Sequence, residues 1–373
     1  MTNQTASTGS SERVAGNCRF MFAFDAGFQI DLDEARKLTA DATPYQIVRG
    51  RRPSPGWFGY QPAPLRLLVN IGSVAIGDYA TDATVEMIVY DFGAILVTFS
   101  IPFECPVDRL TDLGLTLYDN DDLQSHARTG VSAVFESIRS SIERPNLRDI
   151  VEDYCVFAIR ERDGEEPPTA FLDRHAQSLG RAIEAEAGEL GEDQLARTLG
   201  GRMSYGVDDL AVIDWNAAIL LDPEPDDLIA VLQHANVELL QLRILDEELD
   251  SILDHSDELL ARFVNRRWYP LFKDEALVSR FAMVQTDAAV LFEGVNNAIK
   301  LMGNQYLARV YRLASERLSL PAWQSNVQRK LDAADGVYQR ITDTAATRRL
   351  ETLEVVIIVL IAISIVLPFV VKY

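Results

Sequence analysis

The sequence predicts an α+β N-terminal domain, followed by a long antiparallel helical bundle or coiled coil and one C-terminal transmembrane helix. Three observations carry this prediction. Apolar strands and amphipathic helices are mixed, with a hairpin among them, as far as residue 223. Beyond Asp222 apolar residues recur at three-four spacing, and residues 355–371 contain no charged side chain. The resulting boundaries are 1–17 for a disordered start, 18–223 for the α+β domain, 224–350 for the bundle and 351–373 for the anchor.

Residues 1–17 are rich in Ser, Thr, Asn and Gly, which favours disorder. Glu12 stands beside Arg13, the segment has no signal-peptide apolar core, and it lacks the Arg-rich, acid-poor pattern of a mitochondrial presequence; this points to a bacterial protein. Cys18 to Phe24 is an apolar run that predicts a buried strand. Asp31 to Ala40 predicts a helix, with acids in its first turn and a stripe at Leu32, Ala35 and Leu38. Arg49 to Pro64 holds four prolines, three arginines and three aromatics, and is a loop.

Leu65 to Ile76, Thr84 to Tyr90 and Ala94 to Pro102 predict strands, the last two joined through a turn at Asp91, Phe92 and Gly93. Helices follow at Val107 to Leu117 and at Asp119 to Ile142, the latter with Val131, Val134, Phe135 and Ile138 on one side. A strand at Tyr154 to Arg160, a helix at Phe171 to Ala187 and an extended stretch at Ala211 to Leu221, turned at Asp214 to Asn216, complete the domain. Then come the helical seams: Leu228, Leu232, Ala235, Leu239, Leu242, Leu245, Leu249 and Ile252; Leu277, Phe281, Val284, Ala288, Leu291, Val295, Ala298 and Met302; and, after Pro321, Trp323, Val327, Leu331, Ala334, Tyr338, Ile341 and Ala345. Turns are expected near 265–270 and 318–320, folding the helices back on one another.

The anchor is bounded by Glu354 and Lys372 and includes Val355, Ile358, Leu360, Ile363, Leu367, Phe369 and Val371. At helical rise it covers roughly 25 Å against a hydrocarbon core of about 30 Å, and Leu353, Lys372 and Tyr373 extend the match. The competing reading is a buried core helix. Arg329, Lys330, Arg340, Arg348 and Arg349 precede the run and Lys372 follows it, so the positive-inside rule keeps the body in the cytoplasm. The expectation is a single-pass, tail-anchored protein of the bacterial inner membrane.

A net charge of −21 opposes binding of nucleic acid or anionic lipid by the body as a whole, so any such contact needs a local patch. The strongest patch is the loop carrying Arg49, Arg51 and Arg52 beside Trp57, Phe58 and Tyr60, a set able to bind phosphate and stack on bases or headgroups; the alternative is a basic loop packed on the acidic body. Arg266 to Tyr269 is a smaller patch of the same kind. Cys18, Cys105 and Cys155 are scattered singly, and the four histidines have no metal-ligand spacing, so no metal or cofactor is expected. Asp246, Asp250, Asp254 and Asp257 share a helix face that reads as solvated. Phosphate-loop, dinucleotide and nucleophile-elbow motifs are missing.

Three stretches together resemble the YagE-type family, related to the fungal factor required for meiotic nuclear division. They are Val89 to Val97 around Asp91, Phe92 and Gly93; Ser125, His126 and Ala127 with Val131 to Glu136; and Asn236 to Asp254 with Arg348 to Glu351 before the apolar run. Thr98, Phe99 and Ser100 stand where that family places a Trp, and Arg128, Thr129 and Gly130 depart from its Ala-Gln-Ser, marking a divergent member. The resemblance implies a membrane-bound protein without established catalytic activity, whose mitochondrial relatives support organellar translation. His126 is the one polar residue of these motifs with catalytic capacity, and a structural role is the competing reading. The expected function is a non-enzymatic, membrane-tethered scaffold. Its expected partners are the lipid bilayer, further copies of itself through the seams and an unidentified protein. The alternative is an RNA- or ribosome-tethering factor using the basic loop, and a third reading is an enzyme with an unrecognised site.

Overall fold

The computed structural model describes residues 12–39, 43–44, 62–118, 120–265, 281, 283–286, 288–289, 305–337, 339, 354, 357–358 and 360–361. The chain divides into two compact units: Met1–Arg243 with Val290–Trp323, and Ile244–Ala289 with Gln324–Tyr373.

The first unit is built on a nine-stranded sheet whose centre is β1 (Arg13–Asp25). β8 (Ala94–Pro106) and β10 (Val151–Arg162) flank it, both antiparallel. On one side the sheet continues through β7 (Thr84–Val89) and β4 (Leu65–Asn70) to β3 (Thr43–Pro44). On the other, β10 pairs in parallel with β13 (Ala217–Leu221), then β12 (Leu210–Ile213) and β11 (Arg202–Met203). Two short antiparallel pairs, β2 (Gln29–Ile30) with β9 (Ile142–Glu143) and β5 (Ala75–Ile76) with β6 (Tyr79–Ala80), lie outside the main sheet.

Period-two alternation divides the sheet into two faces. Phe20, Phe22 and Phe24 of β1, Ile95, Val97 and Phe99 of β8, and Cys155, Phe157 and Ile159 of β10 share one core. With them are Leu110, Leu113 and Leu117 of α2 (Leu110–Leu117), Leu123 and Val131 of α3 (Asp121–Ile138) and Leu179 and Ile183 of α5 (Ala176–Glu184). Each fully buried Phe or Leu of this set contributes about 1.5–3 kcal/mol. Shorter helices α1 (Leu32–Leu38), α4 (Pro168–Arg174) and α6 (Glu192–Thr198) complete the connections. The β7 to β8 turn needs glycine at Gly93: its φ is +92°, and a Cβ there would meet the Gly27 carbonyl oxygen at 1.8 Å.

The other face carries Met21, Ala23 and Asp25, Leu96 and Thr98, and Glu152, Tyr154 and Val156, and it is met by α7 (Asp226–Asn265). Every residue from Asp227 to Glu238 is buried. The expected single seam is therefore not what this half of α7 presents: Leu239 of that seam is half-buried, while Gln233, His234, Asn236 and Glu238 are sealed. The span Asp226–Asp254 is long and apolar enough to cross a membrane, and 78% of its most apolar window is buried inside the protein. α8 (Gln305–Arg317) belongs to the same unit and buries Tyr306, Leu307, Val310, Tyr311 and Ala314. A turn at 318–319, with Ser319 at φ +57°, separates it from the helix 320–337, here α9, which opens as Pro321 predicts.

In the second unit the buried apolar residues include Leu245, Leu249 and Ile252 of α7, Phe281, Val284 and Ala288, and Val327 and Ala334 of α9. The acidic face of α7 is not wholly solvated. Lys330 Nζ lies 2.7 Å from carboxylate oxygens of both Asp246 and Asp250, and Asn326 Nδ2 donates to Asp246 at 2.5 Å. Asp246 is 15% exposed, whereas Asp250, at 57%, sits where the sequence placed it. Burial alone would lower the pKa of Lys330, but the hydrogen bonds it donates to both acids carry it upward.

Candidate functional site

A helix buried on all sides must seal whatever polar residues it carries, and each then needs a partner. α7 meets this demand at the second sheet face. Gln233 Nε2 donates to Thr98 Oγ1 at 3.2 Å, Asn236 Nδ2 to the Glu152 carbonyl oxygen at 3.3 Å and Gln241 Nε2 to Asp25 Oδ1 at 3.2 Å. Arg243 forms an ion pair with Glu152, and Arg148 Nε lies 3.0 Å from Asp25 Oδ2. Ala23 stands opposite Glu152 in the β1–β10 register, so Asp25 and Glu152 are diagonal neighbours on one face. They are 5% and 7% exposed.

Burial pushes Glu152 up to about 7, with Arg243 pulling the other way and Asp153 adding to the rise. His234 is held neutral, its pKa lowered by burial to about 4, and its ring centroid lies 5.9 Å from that of Tyr311. Tyr311 in turn donates its hydroxyl proton to Glu238. α7 and α8 are thus joined to each other, and α7 to the sheet, through carboxylates.

A second buried acid lies under α8. Asp214, in the β12–β13 turn, is 6% exposed and has Arg317 Nη1 at 3.3 Å from Oδ1. Burial first, then the adjacent Glu184, raises it to about 6 against the pull of Arg317. Tyr154 donates to the Asp214 carbonyl at 2.7 Å. Arg317 reaches this point because Gly201 has no side chain: a Cβ there would stand 2.6 Å from Arg317 Nε.

A cavity of about 400 Å³ opens beside the β7–β8 turn, lined by Asp31, Asp33, Asp91, Ser141 and Glu143 with Ile30 and Pro62. Burial raises Asp91, and the backbone N–H groups of Asp91 and Phe92 offset part of that rise. Four carboxyl groups give the cavity a negative field that favours cations over anions. Among the described residues no group of three or more His, Cys, Asp and Glu is placed to hold a metal ion.

The residues singled out from sequence fare unequally. Arg49, Arg51, Arg52, Trp57, Phe58 and Tyr60 lie outside the described residues, as do Val355, Ile363, Leu367, Phe369 and Val371. Ile358 and Leu360 are helical and 58% and 59% exposed, and Ile357 and Ile361 are 53% and 52% exposed. His126 lies on the exposed side of α3 with Nδ1 2.7 Å from the Asp122 carbonyl oxygen. Cys18 and Cys155, scattered in sequence, are brought together by the β1–β10 pairing, with their sulfurs 3.3 Å apart. Sequence reasoning missed Asp25, Glu152 and Arg243; the available signal was the polar set Gln233, His234, Asn236 and Glu238 inside an apolar run.

The family described as "Uncharacterized protein MJ0711, N-terminal domain" matches residues 15–227, more than half of the chain. The chain belongs to this MJ0711 N-terminal domain family. The domain so matched runs from β1 to the first turn of α7. Asp25, Glu152 and Asp214 therefore fall inside the MJ0711 domain, whereas their partners Gln241, Arg243 and Arg317 fall beyond it. A relative described as "Uncharacterized protein MJ0711", from Methanocaldococcus jannaschii, is 21% identical over 209 residues, which are 55% of this chain and 62% of the relative. The chain thus matches less than two thirds of that relative's length. No solved structure matches.

Proposed function

We propose that the protein is a non-enzymatic, membrane-tethered interaction module, with a cytoplasmic body held at the membrane by residues 355–371. The observation that carries this reading is the helical set Ile357, Ile358, Leu360 and Ile361. Each of the four is more than half exposed to solvent, inside a run without charge. A soluble helix hides such residues, and a span presents them to lipid. α7, the other apolar helix, is better read as part of the body, because its polar side chains bond to Thr98, Glu152 and Asp25. The arginine-rich flank of the run supports the cytoplasmic orientation, and the YagE-type resemblance supports attachment without chemistry. Contact between copies through the helices beyond residue 243 is part of the same proposal. Transplanting residues 350–373 onto a soluble reporter tests it: the reporter should move to the membrane fraction and resist extraction at alkaline pH. A reporter that stays soluble removes the anchor from this segment.

A further inference from the structure

The second sheet face is closed by a cover whose counter-charges are its own. Glu152 and Asp214 are sealed between the sheet and the α7–α8 layer, and the guanidinium opposing each comes from that layer, Arg243 from α7 and Arg317 from α8. We propose that docking of this layer, residues 226–243 and 305–317, is proton-linked: it is favoured while Glu152 and Asp214 are neutral and weakened as they ionise.

The geometry makes the coupling direct. Lifting the layer hydrates both carboxyl groups and removes both arginines, so the open state has ordinary acids and the closed state confined ones. A buried carboxylate loses more hydration than a half-exposed arginine returns, and Arg243 and Arg317 are 40% and 26% exposed. The raised values of Glu152 and Asp214, about 7 and about 6, agree with this sense. An acid raised in the closed state loses its contribution as pH climbs from its ordinary value through its raised one.

The other groups facing these acids do not reverse that sense. Asp153 lies on the strand of Glu152, and Glu184 of α5 faces Asp214; both make ionisation harder. Asp25 is held by Arg148 and Gln241, Glu238 accepts from Tyr311 and Asp209 from Tyr306. His234 acts in the other sense: its pKa is near 4 in the closed state and returns toward the ordinary 6.5 on hydration, which opposes the two acids by up to about 30-fold between pH 5 and pH 8 without reversing them. Asp222 directly follows β13, and Asp227 lies in the first turn of α7; both are buried.

Amide hydrogen exchange on the full chain in detergent tests the proposal, with rates corrected for the intrinsic dependence on pH. Protection of amides in 233–243 and 306–314 should fall on the order of 30-fold between pH 5 and pH 8: about tenfold per pH unit for each acid inside its window, about two units for Glu152 and one for Asp214, gives roughly 1,000-fold, and His234 offsets about 30-fold of it. Protection in β1 from Phe20 to Phe24 should change far less. In Glu152→Gln with Asp214→Asn the fall should vanish. An equal fall in β1, no fall in the layer, or a wild-type slope in the double variant would each overturn the proposal. If the double variant does not fold, the wild-type comparison of layer and β1 decides alone.

Discussion

Leu242→Asp probes whether α7 is a core helix of the body. Leu242 is fully buried, one residue before Arg243. Truncating a buried Leu to Ala costs about 2.7–5 kcal/mol, and a buried polar group without a partner adds about 1–3 kcal/mol. The sum, roughly 4–8 kcal/mol, is comparable with the whole stability of a typical domain, about 5–15 kcal/mol. Leu242→Asp should therefore abolish cooperative unfolding. Asp250→Ala should change stability by less than about 0.5 kcal/mol, because Asp250 is 57% exposed and Asp246 still holds Lys330. Asp246→Ala should lie between them, near 1–2 kcal/mol, because Asn326 loses its acceptor and Lys330 its less exposed partner. Thermal and urea unfolding of the detergent-solubilised chain, followed at 222 nm, gives the order. A Leu242→Asp protein that melts like wild type beside an unfolded Asp250→Ala would refute the helix phase and reopen the acidic face as a functional site.

Glu152→Gln should stabilise the protein at pH 8 and leave it unchanged near pH 4. The folded value of about 7 lies above the ordinary 4.5, so wild type loses stability as pH rises between them, by up to about 3 kcal/mol; equal urea midpoints for the two proteins at pH 8 would contradict the burial argument. Gly93→Ala should destabilise by roughly 2 kcal/mol or more, since it meets both a left-handed backbone and the Gly27 carbonyl. A wild-type melting temperature would show that the turn rearranges freely. Changing Arg49, Arg51 and Arg52 to Glu should leave melting within about 0.5 kcal/mol per site of wild type. Partner or RNA recovery from membranes that also stays at the wild-type level would remove this loop as a recognition patch.

The sheet-rich domain was legible because its central strands are strongly patterned. The runs at Cys18 to Phe24 and Ala94 to Pro102 alternate large apolar residues, and Asp91 to Gly93 is a turn by composition; β1, β8 and the hairpin stand there. The full length of β1 was less visible, because its first residues, such as Arg13 and Asn17, are polar positions supported by neighbouring strands. α6 has no apolar stripe to announce it. The polar layer failed for a different reason: three-four spacing assumes one apolar face, and the Asp227 to Glu238 segment buries every face. Nor does any local pattern pair Cys18 with Cys155 or Asp25 with Glu152, because β1 and β10 are separated by more than a hundred residues. Asp246 was placed with Asp250 by angle alone; Lys330 of α9 contacts both, and burial together with the bond from Asn326 sets Asp246 apart.

Protease protection of the full chain expressed in bacterial spheroplasts tests the membrane-tethered module most directly, read with an antibody against the β1–β13 domain. The account predicts that the domain survives protease added to intact spheroplasts, is digested after lysis, and pellets with membranes only while residues 350–373 are present. Digestion from outside in intact spheroplasts, or a chain that pellets equally well without those residues, would contradict it.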